Sequence, residues 1–284
     1  MVDLPAKLDA AVRSVAARLA KAGIDPAFTE ARLIFELAGF DRMALLKAPD
    51  EALTSEQTEI VVSALEKRLG GMPVARIRGW SWFDGRRFEI SPDTLEPRDD
   101  TLALVDAVTE FVDATPGCRI LDIGTGTGII ALTLLARVPN AVALATDISA
   151  GALEVAKRNA FSLELRERFQ TQQTNMLDSI EGQFDLIISN PPYIASDIVK
   201  RLAREVREHD PLMALDGGAD GLEFYRSISK DGGKLLASNG RVALEIGYDQ
   251  RESVAAIFVG ASFNEFSFHK DLGDRPRALV LSSR

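Results

Sequence analysis

The sequence has 284 residues, of which 46% are hydrophobic and 26% are charged, so it is long enough and apolar enough for two folded domains. Its formal net charge of −9 disfavours a protein whose main task is to bind bare nucleic acid, because phosphate contacts require the opposite sign. The single cysteine, Cys118, excludes an intramolecular disulfide and favours a cytoplasmic location, and with only two distant histidines we expect no Cys/His metal site.

The first 71 residues are predicted to form a helical bundle domain. The N-terminus lacks the basic flank and apolar run of a signal peptide, and no apolar stretch approaches the ~18 residues of a membrane span, so we expect no membrane partner. Apolar residues recur at helical spacing in three segments, and Thr54 or Ser55 offers an N-cap for the third. These positions are Leu8, Val12, Val15, Ala16 and Leu19, then Ala31, Leu33, Ile34 and Leu37, then Ile60, Val61, Ala64 and Leu65.

Residues 72–98 are predicted to be a hairpin linker. The stretch Gly70-Gly71-Met72-Pro73 breaks the preceding helix, and Asp84-Gly85 is a hairpin-type turn between aromatic residues. Both tryptophans of the chain, Trp80 and Trp82, lie here. Two interpretations stay open: a connecting hairpin with buried aromatics, or a hairpin that also shapes the mouth of a substrate site.

Residues 99–284 alternate strand and helix patterns, which predicts an α/β domain with a doubly wound, mostly parallel sheet. Ligands of such sheets bind at the carboxyl ends of the strands, so the residues that follow each strand are the candidates for a site. The predicted strands are residues 119–123, 141–146, 184–189, 241–246, 263–269 and 277–281, and helices are predicted over residues 129–138 and 150–163.

A glycine loop follows the first of these strands and leads into a helix. Its members are Gly124, Thr125, Gly126, Thr127 and Gly128. Glycine permits a tight turn and lets a ligand touch the backbone. The spacing G-x-G-x-G, unlike G-x-G-x-x-G, favours a ligand without a pyrophosphate, although a dinucleotide loop or a plain tight turn stays open on this evidence.

Two aspartates accompany the loop. Asp147 ends the second strand. A carboxylate at this position can accept hydrogen bonds from both ribose hydroxyls of a ligand. Alternatively it can cap the next helix, a role for which Ser149 competes. Asp122 lies within the first strand, where it can stabilise a ligand's ammonium group or hold the loop. The residues leave these two roles of Asp122 open.

Asn190-Pro191-Pro192-Tyr193 follows the apolar strand 184–189. The two prolines remove two backbone donors and stiffen the turn, which leaves the Asn190 side-chain oxygen and the Pro191 carbonyl to point at one spot. Two such acceptors suit a planar NH2 group conjugated to a π-system, because they fix its plane and direct its poorly nucleophilic lone pair toward an electrophilic methyl group. Tyr193 adds an aromatic wall on which the flat group can pack.

With these motifs the sequence resembles the HemK/PrmC family, the glutamine methyltransferases of peptide chain release factors. The resemblance covers nearly the whole chain, including the helical N-terminal domain. The shared stretches are Gly71-x-Pro73, Leu95 to Arg98, Gly124 to Gly128, Asn190 to Tyr193, Asp216 to Leu222 with Tyr225-Arg226, and Glu245 to Gly247 with Gln250. The Asn-Pro-Pro-Tyr motif is also found in adenine amino-methyltransferases, whereas the block from Gly217 to Arg226 is more specific to this family.

The resemblance implies a seven-stranded methyltransferase sheet with an antiparallel last strand pair, S-adenosylmethionine as the cofactor, and the glutamine of a Gly-Gly-Gln loop in release factors as the substrate. The N-terminal bundle would dock the release factor. The implied cofactor-binding residues are Gly124 to Gly128 around the methionine part, Asp147 at the ribose, Asn175 near the adenine, and Asn190. The implied substrate-binding residues are Asn190, Pro191, Pro192 and Tyr193, of which Asn190, Pro191 and Tyr193 would be catalytic.

Three positions depart from the family pattern: Asp99 where a proline is usual, Leu102 where a glutamate is usual, and Asn175 where an acidic residue is frequent. A paralogue that acts on another protein therefore stays open. So does an adenine amino-methyltransferase on DNA or RNA, which would flip out its base, although the negative charge makes nucleic acid an unfavourable substrate. A third alternative is a cofactor-binding regulator without catalysis, against which the intact Asn-Pro-Pro-Tyr motif argues.

A basic stripe follows the Asn-Pro-Pro-Tyr motif and consists of Lys200, Arg201, Arg204 and Arg207. It is interpreted either as the solvated face of a helix or as a contact surface for acidic groups of the ribosome or the substrate.

Overall fold

The chain divides into two units, Met1–Gly79 and Trp80–Arg284, in this computed structural model. Residues 4–283 are described, apart from the side chains of residues 42, 265, 266 and 283. The boundary falls inside the predicted linker 72–98, so that residues 72–79 belong to the first unit and the hairpin itself belongs to the second. Every helix within the described part of the chain is too short or too polar to span a lipid bilayer.

The first unit is helical, as its apolar periodicity predicts. Its helices are α1 (Leu8–Lys21), α2 (Ala27–Leu37), α3 (Arg42–Lys47), α4 (Ser55–Leu69) and α5 (Val74–Arg78). Thr54, not Ser55, caps α4: the Thr54 hydroxyl accepts from the Gln57 amide, and the Gln57 side chain accepts from the Thr54 amide in return. Most of the predicted apolar positions are buried, but Ile60 is 36% exposed, so α4 turns this residue away from the bundle core.

The second unit begins with the predicted hairpin of β1 (Trp80–Phe83) and β2 (Arg86–Glu89). Asp84 and Gly85 have φ values of 49° and 70°, the two left-handed residues of a tight hairpin turn. Phe83 and Phe88 are buried, whereas Trp82 is 54% exposed. The expectation of buried aromatics therefore holds for the phenylalanines and is wrong for Trp82.

Strands and helices then alternate through the rest of this unit. They are α6 (Leu102–Ala114), β3 (Arg119–Ile123), α7 (Ile129–Arg137), β4 (Val142–Asp147), α8 (Ala150–Ser162), β5 (Phe169–Gln173), β6 (Phe184–Ser189), α9 (Ser196–Val199), α10 (Arg204–His209), α11 (Glu223–Leu235), β7 (Leu236–Glu245), α12 (Arg251–Gly260), β8 (Phe263–Lys270) and β9 (Pro276–Ser283). Short 3-10 turns occur at Asp99–Thr101, Arg166–Arg168 and Leu212–Ala214.

The seven strands of the main sheet have the order β5-β4-β3-β6-β7-β9-β8. The first five run parallel to one another, and β9 runs antiparallel to both β7 and β8. The predicted doubly wound, mostly parallel sheet with an antiparallel last pair is confirmed. The chain leaves β3 first toward β4 and later returns to β6 on its other side, so the sheet has a switch point there.

Helices cover both faces of the sheet. Because side chains on both faces of its central strands are buried, the sequences of these strands are continuous apolar runs. Successive residues of β3 and β6 enter different cores: Ile120 and Leu186 pack in the layer of α6, α7 and α8, whereas Leu121 and Ile187 pack in the layer of α11 and α12. At the switch point Ile123 pairs with both Thr146 and Ser189, so the ends of β3, β4 and β6 lie at the same edge.

Candidate functional site

The glycine loop runs from the end of β3 into α7 at this edge. Gly124, Gly126 and Gly128 have φ values of 68°, 56° and 83°, a region that favours glycine. At Gly128 a Cβ atom would also lie 2.9 Å from the Leu132 side chain. Residues 124–127 line a cavity, whereas Gly128 does not line it and serves the packing of α7.

Asp122 holds the loop. Its side chain is fully buried, and Oδ2 accepts a hydrogen bond of 2.6 Å from the Thr125 hydroxyl. Burial raises the pKa of Asp122 to about 7, although hydrogen bonds from Thr125 and the Ala131 backbone partly offset the rise. Because Asp122 does not line the cavity, its position supports the loop-holding role rather than contact with a ligand.

Asp147 ends β4 and lines the same cavity. Its Oδ2 accepts from the Gly126 amide and its Oδ1 from the Ser149 amide, each at 2.9 Å. Burial raises the pKa of Asp147, and these backbone amides act in the opposite direction. The Ser149 hydroxyl accepts from the Ala152 amide at 3.2 Å and caps α8, so Asp147 is not the helix cap.

Asn190 follows β6 and shares the cavity with Asp147. Its Nδ2 donates a hydrogen bond of 3.3 Å to the hydroxyl of Thr101, a buried residue at the start of α6. Pro191 and Pro192 line the cavity beside it. The structure therefore brings the predicted acceptor turn and the predicted cofactor loop to one cavity.

Tyr193 lies elsewhere. It is not one of the residues that line the cavity, and its ring packs against the core beneath α11 and α12. The Tyr193 hydroxyl is 3.4 Å from Glu245 Oε1 and accepts from Arg277 Nη1 at 3.4 Å. Burial raises the pKa of Tyr193. This position differs from the predicted aromatic wall and points to a role in holding the turn.

Glu245 is the functional candidate that sequence reasoning missed. It ends β7, is 2% exposed, and burial raises its pKa to about 7, while Thr101 and Arg277 lower it. The Arg277 guanidinium lies 4.0 Å from Glu245 Oε1 and 3.0 Å from Asp100 Oδ2. The available signal was an acidic residue at the end of an apolar strand, within a stretch shared with the family.

A backbone clamp fixes the turn after Asn190. Gln250 Nε2 donates to the Tyr193 carbonyl at 2.9 Å and to the Gly221 carbonyl at 3.3 Å. A Cβ atom at Gly217 would lie 2.7 Å from the Pro192 carbonyl oxygen, and one at Gly221 would collide with the Tyr193 carbonyl oxygen. The family-specific block therefore contacts the Asn-Pro-Pro-Tyr turn directly.

The cavity has a volume of about 1050 Å³. Besides the strand ends, its walls include Asn175 and Arg98, whose guanidinium pairs with the buried Asp210 at 2.8 Å. Within the described residues no group of three or more His, Cys, Asp or Glu side chains is placed to hold a metal ion.

The basic stripe does not form one helical face. Its members are exposed and are divided between the turn after α9 and the helix α10. Arg204 pairs with Glu208 at 2.8 Å, and Arg207 donates to the Lys200 carbonyl at 3.1 Å. These local contacts favour the interpretation as a solvated surface.

Comparisons with known proteins cover both units. Residues 10–79 match the model of the PrmC N-terminal domain, and residues 101–209 match that of the methyltransferase small domain. A release factor glutamine methyltransferase from Agrobacterium fabrum is 44% identical, with 93% of each chain covered. One from Bradyrhizobium diazoefficiens is 39% identical, with 96% of this chain and 93% of the relative covered. A ribosomal protein L11 methylase from Lactobacillus delbrueckii shares the fold at 22% identity, with a TM-score of 0.51, covering 69% of this chain and 84% of that chain.

The protein is a methyltransferase by its fold and its domain match. Its doubly wound sheet has this strand order, and the cavity lies at the ends of β3, β4 and β6. The similarity to the curated relatives extends this conclusion to both units of the chain. The chain belongs to the family of release factor glutamine methyltransferases.

Proposed function

We propose that this enzyme transfers a methyl group from S-adenosylmethionine to the side-chain amide nitrogen of the glutamine in the Gly-Gly-Gln motif of peptide chain release factors. The observation that carries the proposal is that Asn190 and Pro191 line the same cavity as residues 124–127 and Asp147. The names of curated relatives at 39–44% identity support the choice of substrate.

The residues around the cavity fit S-adenosylmethionine. Each Asp147 oxygen accepts one backbone amide and keeps a lone pair for a ribose hydroxyl. Gly124 and Gly126 allow close approach of the methionine part, and Asn175 lies on the wall proposed for the adenine. The volume of about 1050 Å³ is sufficient for a ligand of this size. When bound, the cofactor supplies an electrophilic methyl group.

The proposed role of Asn190 and the Pro191 carbonyl is to accept the two N–H bonds of the glutamine amide. The amide nitrogen is a poor nucleophile because its lone pair is delocalised, so catalysis must come from orientation and from electrostatics matched to the transition state. Orientation contributes up to about 7–11 kcal/mol in favourable cases. Pro192 stiffens the turn, and Tyr193 holds it through its contact with Glu245.

The proposed role of the first unit is to dock the release factor. Phe28, Met43 and Leu46 are 53%, 49% and 68% exposed, which is a large apolar area for one small helical unit to leave in water. Because release factors act on ribosomes, the proposed reaction takes place in the cytoplasm.

The test is a transfer assay with the methyl-labelled cofactor. The enzyme is incubated separately with a purified release factor, with the same factor carrying alanine for the Gly-Gly-Gln glutamine, and with DNA or RNA. We expect label in the glutamine-containing peptide of the unaltered factor alone. Label on adenine would instead identify a nucleic-acid methyltransferase, and label on the alanine variant would place the acceptor elsewhere.

A further inference from the structure

Asn159 links the glycine loop to the hairpin from a position inside α8. It is 2% exposed, and its Nδ2 donates to the Thr127 carbonyl at 2.9 Å and to the Glu89 carbonyl at 3.1 Å. Its Oδ1 accepts from the Glu89 amide at 2.7 Å. Thr127 and Glu89 lie 32 and 70 positions from Asn159 in the chain, so the fold itself assembles these contacts.

The orientation of the Asn159 amide follows from its partners. Both hydrogens of its NH2 group go to carbonyl oxygens, and its oxygen receives a backbone N–H. The reverse orientation would set the amide oxygen against two carbonyl oxygens and the NH2 group against an N–H, which is unfavourable. Asn159 is therefore a donor to the glycine loop.

The peptide between Thr127 and Gly128 is the part of the loop that Asn159 holds. Its N–H donates to the Thr125 carbonyl at 2.8 Å, and its carbonyl accepts from Asn159, so the peptide is held at both ends. Gly128 has a φ of 83° and, as a glycine, lets such a peptide rotate at low cost. Loss of the Asn159 donor would leave the carbonyl of the buried Thr127 without this partner and would favour that rotation.

The contact with Thr127 is independent of the groups proposed to touch the cofactor. Gly126 is held by Asp147, which is itself the proposed ribose ligand. Asn159, in contrast, is not one of the residues that line the cavity, whereas Thr127 is. Replacement of Asn159 therefore changes how the loop is held without removing an atom proposed to contact a ligand.

We infer that Asn159 is a positioning residue for the cofactor, because it fixes the peptide after Thr127 and with it the loop that faces the methionine part. The inference rests on the proposed function of this cavity. It adds that the two ends of the cofactor depend on different residues: the amino-acid end on Asn159, from outside the cavity, and the nucleoside end on Asp147. A loop that is ordered before binding loses less conformational freedom when the cofactor arrives.

The experiment compares Asn159→Ala with Arg158→Ala by calorimetry. Arg158 is the matched control, because it precedes Asn159 in α8 and pairs with the Glu89 carboxylate at 2.7 Å. Both substitutions remove a contact between α8 and the hairpin, but only Asn159→Ala removes the donor to Thr127. Asn159→Leu is a second variant that keeps most of the side-chain volume, so an effect shared by the two cannot come from an empty space.

Two ligands distinguish positioning of the loop from general damage to the fold. They are S-adenosylmethionine and 5′-methylthioadenosine, which keeps the adenine, the ribose and the sulfur atom but lacks the amino-acid part. We expect both Asn159 variants to raise Kd for S-adenosylmethionine about tenfold, the loss expected for one hydrogen bond. Their Kd for 5′-methylthioadenosine should change less than about twofold, and Arg158→Ala should bind both ligands as the wild type does.

The outcomes separate this inference from the proposed function. A wild type that binds no S-adenosylmethionine overturns both, whereas one that binds it but labels no release factor overturns the proposed function alone. The inference alone is overturned if the Asn159 variants bind S-adenosylmethionine as Arg158→Ala does, or if they lose affinity equally for both ligands. Asn159 variants that fail to fold would also overturn it, because Asn159 would then serve the stability of the core.

Discussion

At the scale of single residues, the polar groups of the cavity are oriented before any ligand binds. Two backbone amides align the Asp147 carboxylate, and Thr101 occupies one end of the Asn190 amide. A group that is already fixed loses little conformational freedom on binding, so its contact contributes more to affinity or to rate. The two residues are proposed to serve different ligands, so their substitution should separate cofactor binding from methyl transfer.

Asp147→Ala is expected to weaken cofactor binding. The substitution removes both proposed acceptors for the ribose hydroxyls, and hydrogen bonds to a charged group contribute about 1.5–3 kcal/mol each. The dissociation constant measured by calorimetry should rise at least about tenfold. Glu154→Ala, which removes an exposed carboxylate paired with Lys157 in α8, is the control and should bind as the wild type does. Wild-type affinity of Asp147→Ala would refute the ribose role.

Asn190→Ala is expected to lower turnover and to leave cofactor binding unchanged. It removes the proposed acceptor for the substrate amide, so turnover should fall about 10²–10³-fold, as for the loss of one transition-state hydrogen bond. Cofactor affinity should stay close to that of the wild type. The exposed Asn140 provides a control of the same residue type outside the cavity. Turnover of Asn190→Ala equal to that of Asn140→Ala would contradict the assignment.

At the scale of elements, the Asn-Pro-Pro-Tyr turn depends on segments that come much later in the chain. Gly221 has a φ of 73° and lies against the Tyr193 carbonyl, and Gln250 donates to that same carbonyl from the start of α12. Prolines alone stiffen a turn but do not set its direction. The clamp supplies the direction, because it fixes the Tyr193 carbonyl at the end of the turn.

Gly221→Ala tests the clamp. Alanine in a left-handed conformation costs about 1–2 kcal/mol, and here its Cβ atom would also meet the Tyr193 carbonyl. We expect a loss of about 1–3 kcal/mol in the free energy of unfolding, measured with denaturant, together with reduced turnover of the folded fraction. Gly260→Ala is the matched control, because its Cβ atom would meet nothing within 4 Å. Equal stability and turnover in the two variants would show that the clamp is dispensable.

Most elements of the sheet follow from local sequence patterns, and the exceptions have physical reasons. The strands β3 and β6 have their predicted bounds because each is an apolar run followed by turn residues. The sequence does not predict β5, in which Phe169 is the sole buried apolar residue, or α11, which contains the helix-weakening pair Gly232-Gly233.

The candidate site was predictable where its residues stand at the carboxyl ends of strands. The glycine loop and Asn190 each follow a strand and Asp147 ends one, so the sheet topology alone brings them together. The contact of Thr101 with Asn190 joins residues 89 positions apart, and no spacing rule predicts it. The same limit explains the position of Tyr193, which is determined by Glu245 and Arg277 from the last strands of the sheet.

At the scale of the whole molecule, the two units have different surfaces and different proposed tasks. All residues that line the cavity lie between Asp93 and Phe224, within the second unit. The first unit contributes none of them and instead exposes several large apolar side chains. The formal net charge of −9 disfavours bulk electrostatic attraction of an acidic partner, so we expect the proposed docking of a protein substrate to use such apolar contacts.

The double substitution Phe28→Ser and Leu46→Ser tests this division of tasks. Both side chains are more than half exposed, so their loss should leave the stability of the helical unit nearly unchanged. If they contact the release factor, KM for that substrate should rise about tenfold, since each buried apolar side chain contributes about 1.5–3 kcal/mol at most and rim contacts contribute less. The kcat at saturating substrate and the cofactor affinity should not change, because the cavity is intact.

Leu272→Ser, at a leucine of the second unit that is 95% exposed, controls for a general loss of surface hydrophobicity. A KM that responds equally to both changes, or to neither, would exclude Phe28 and Leu46 from the docking surface.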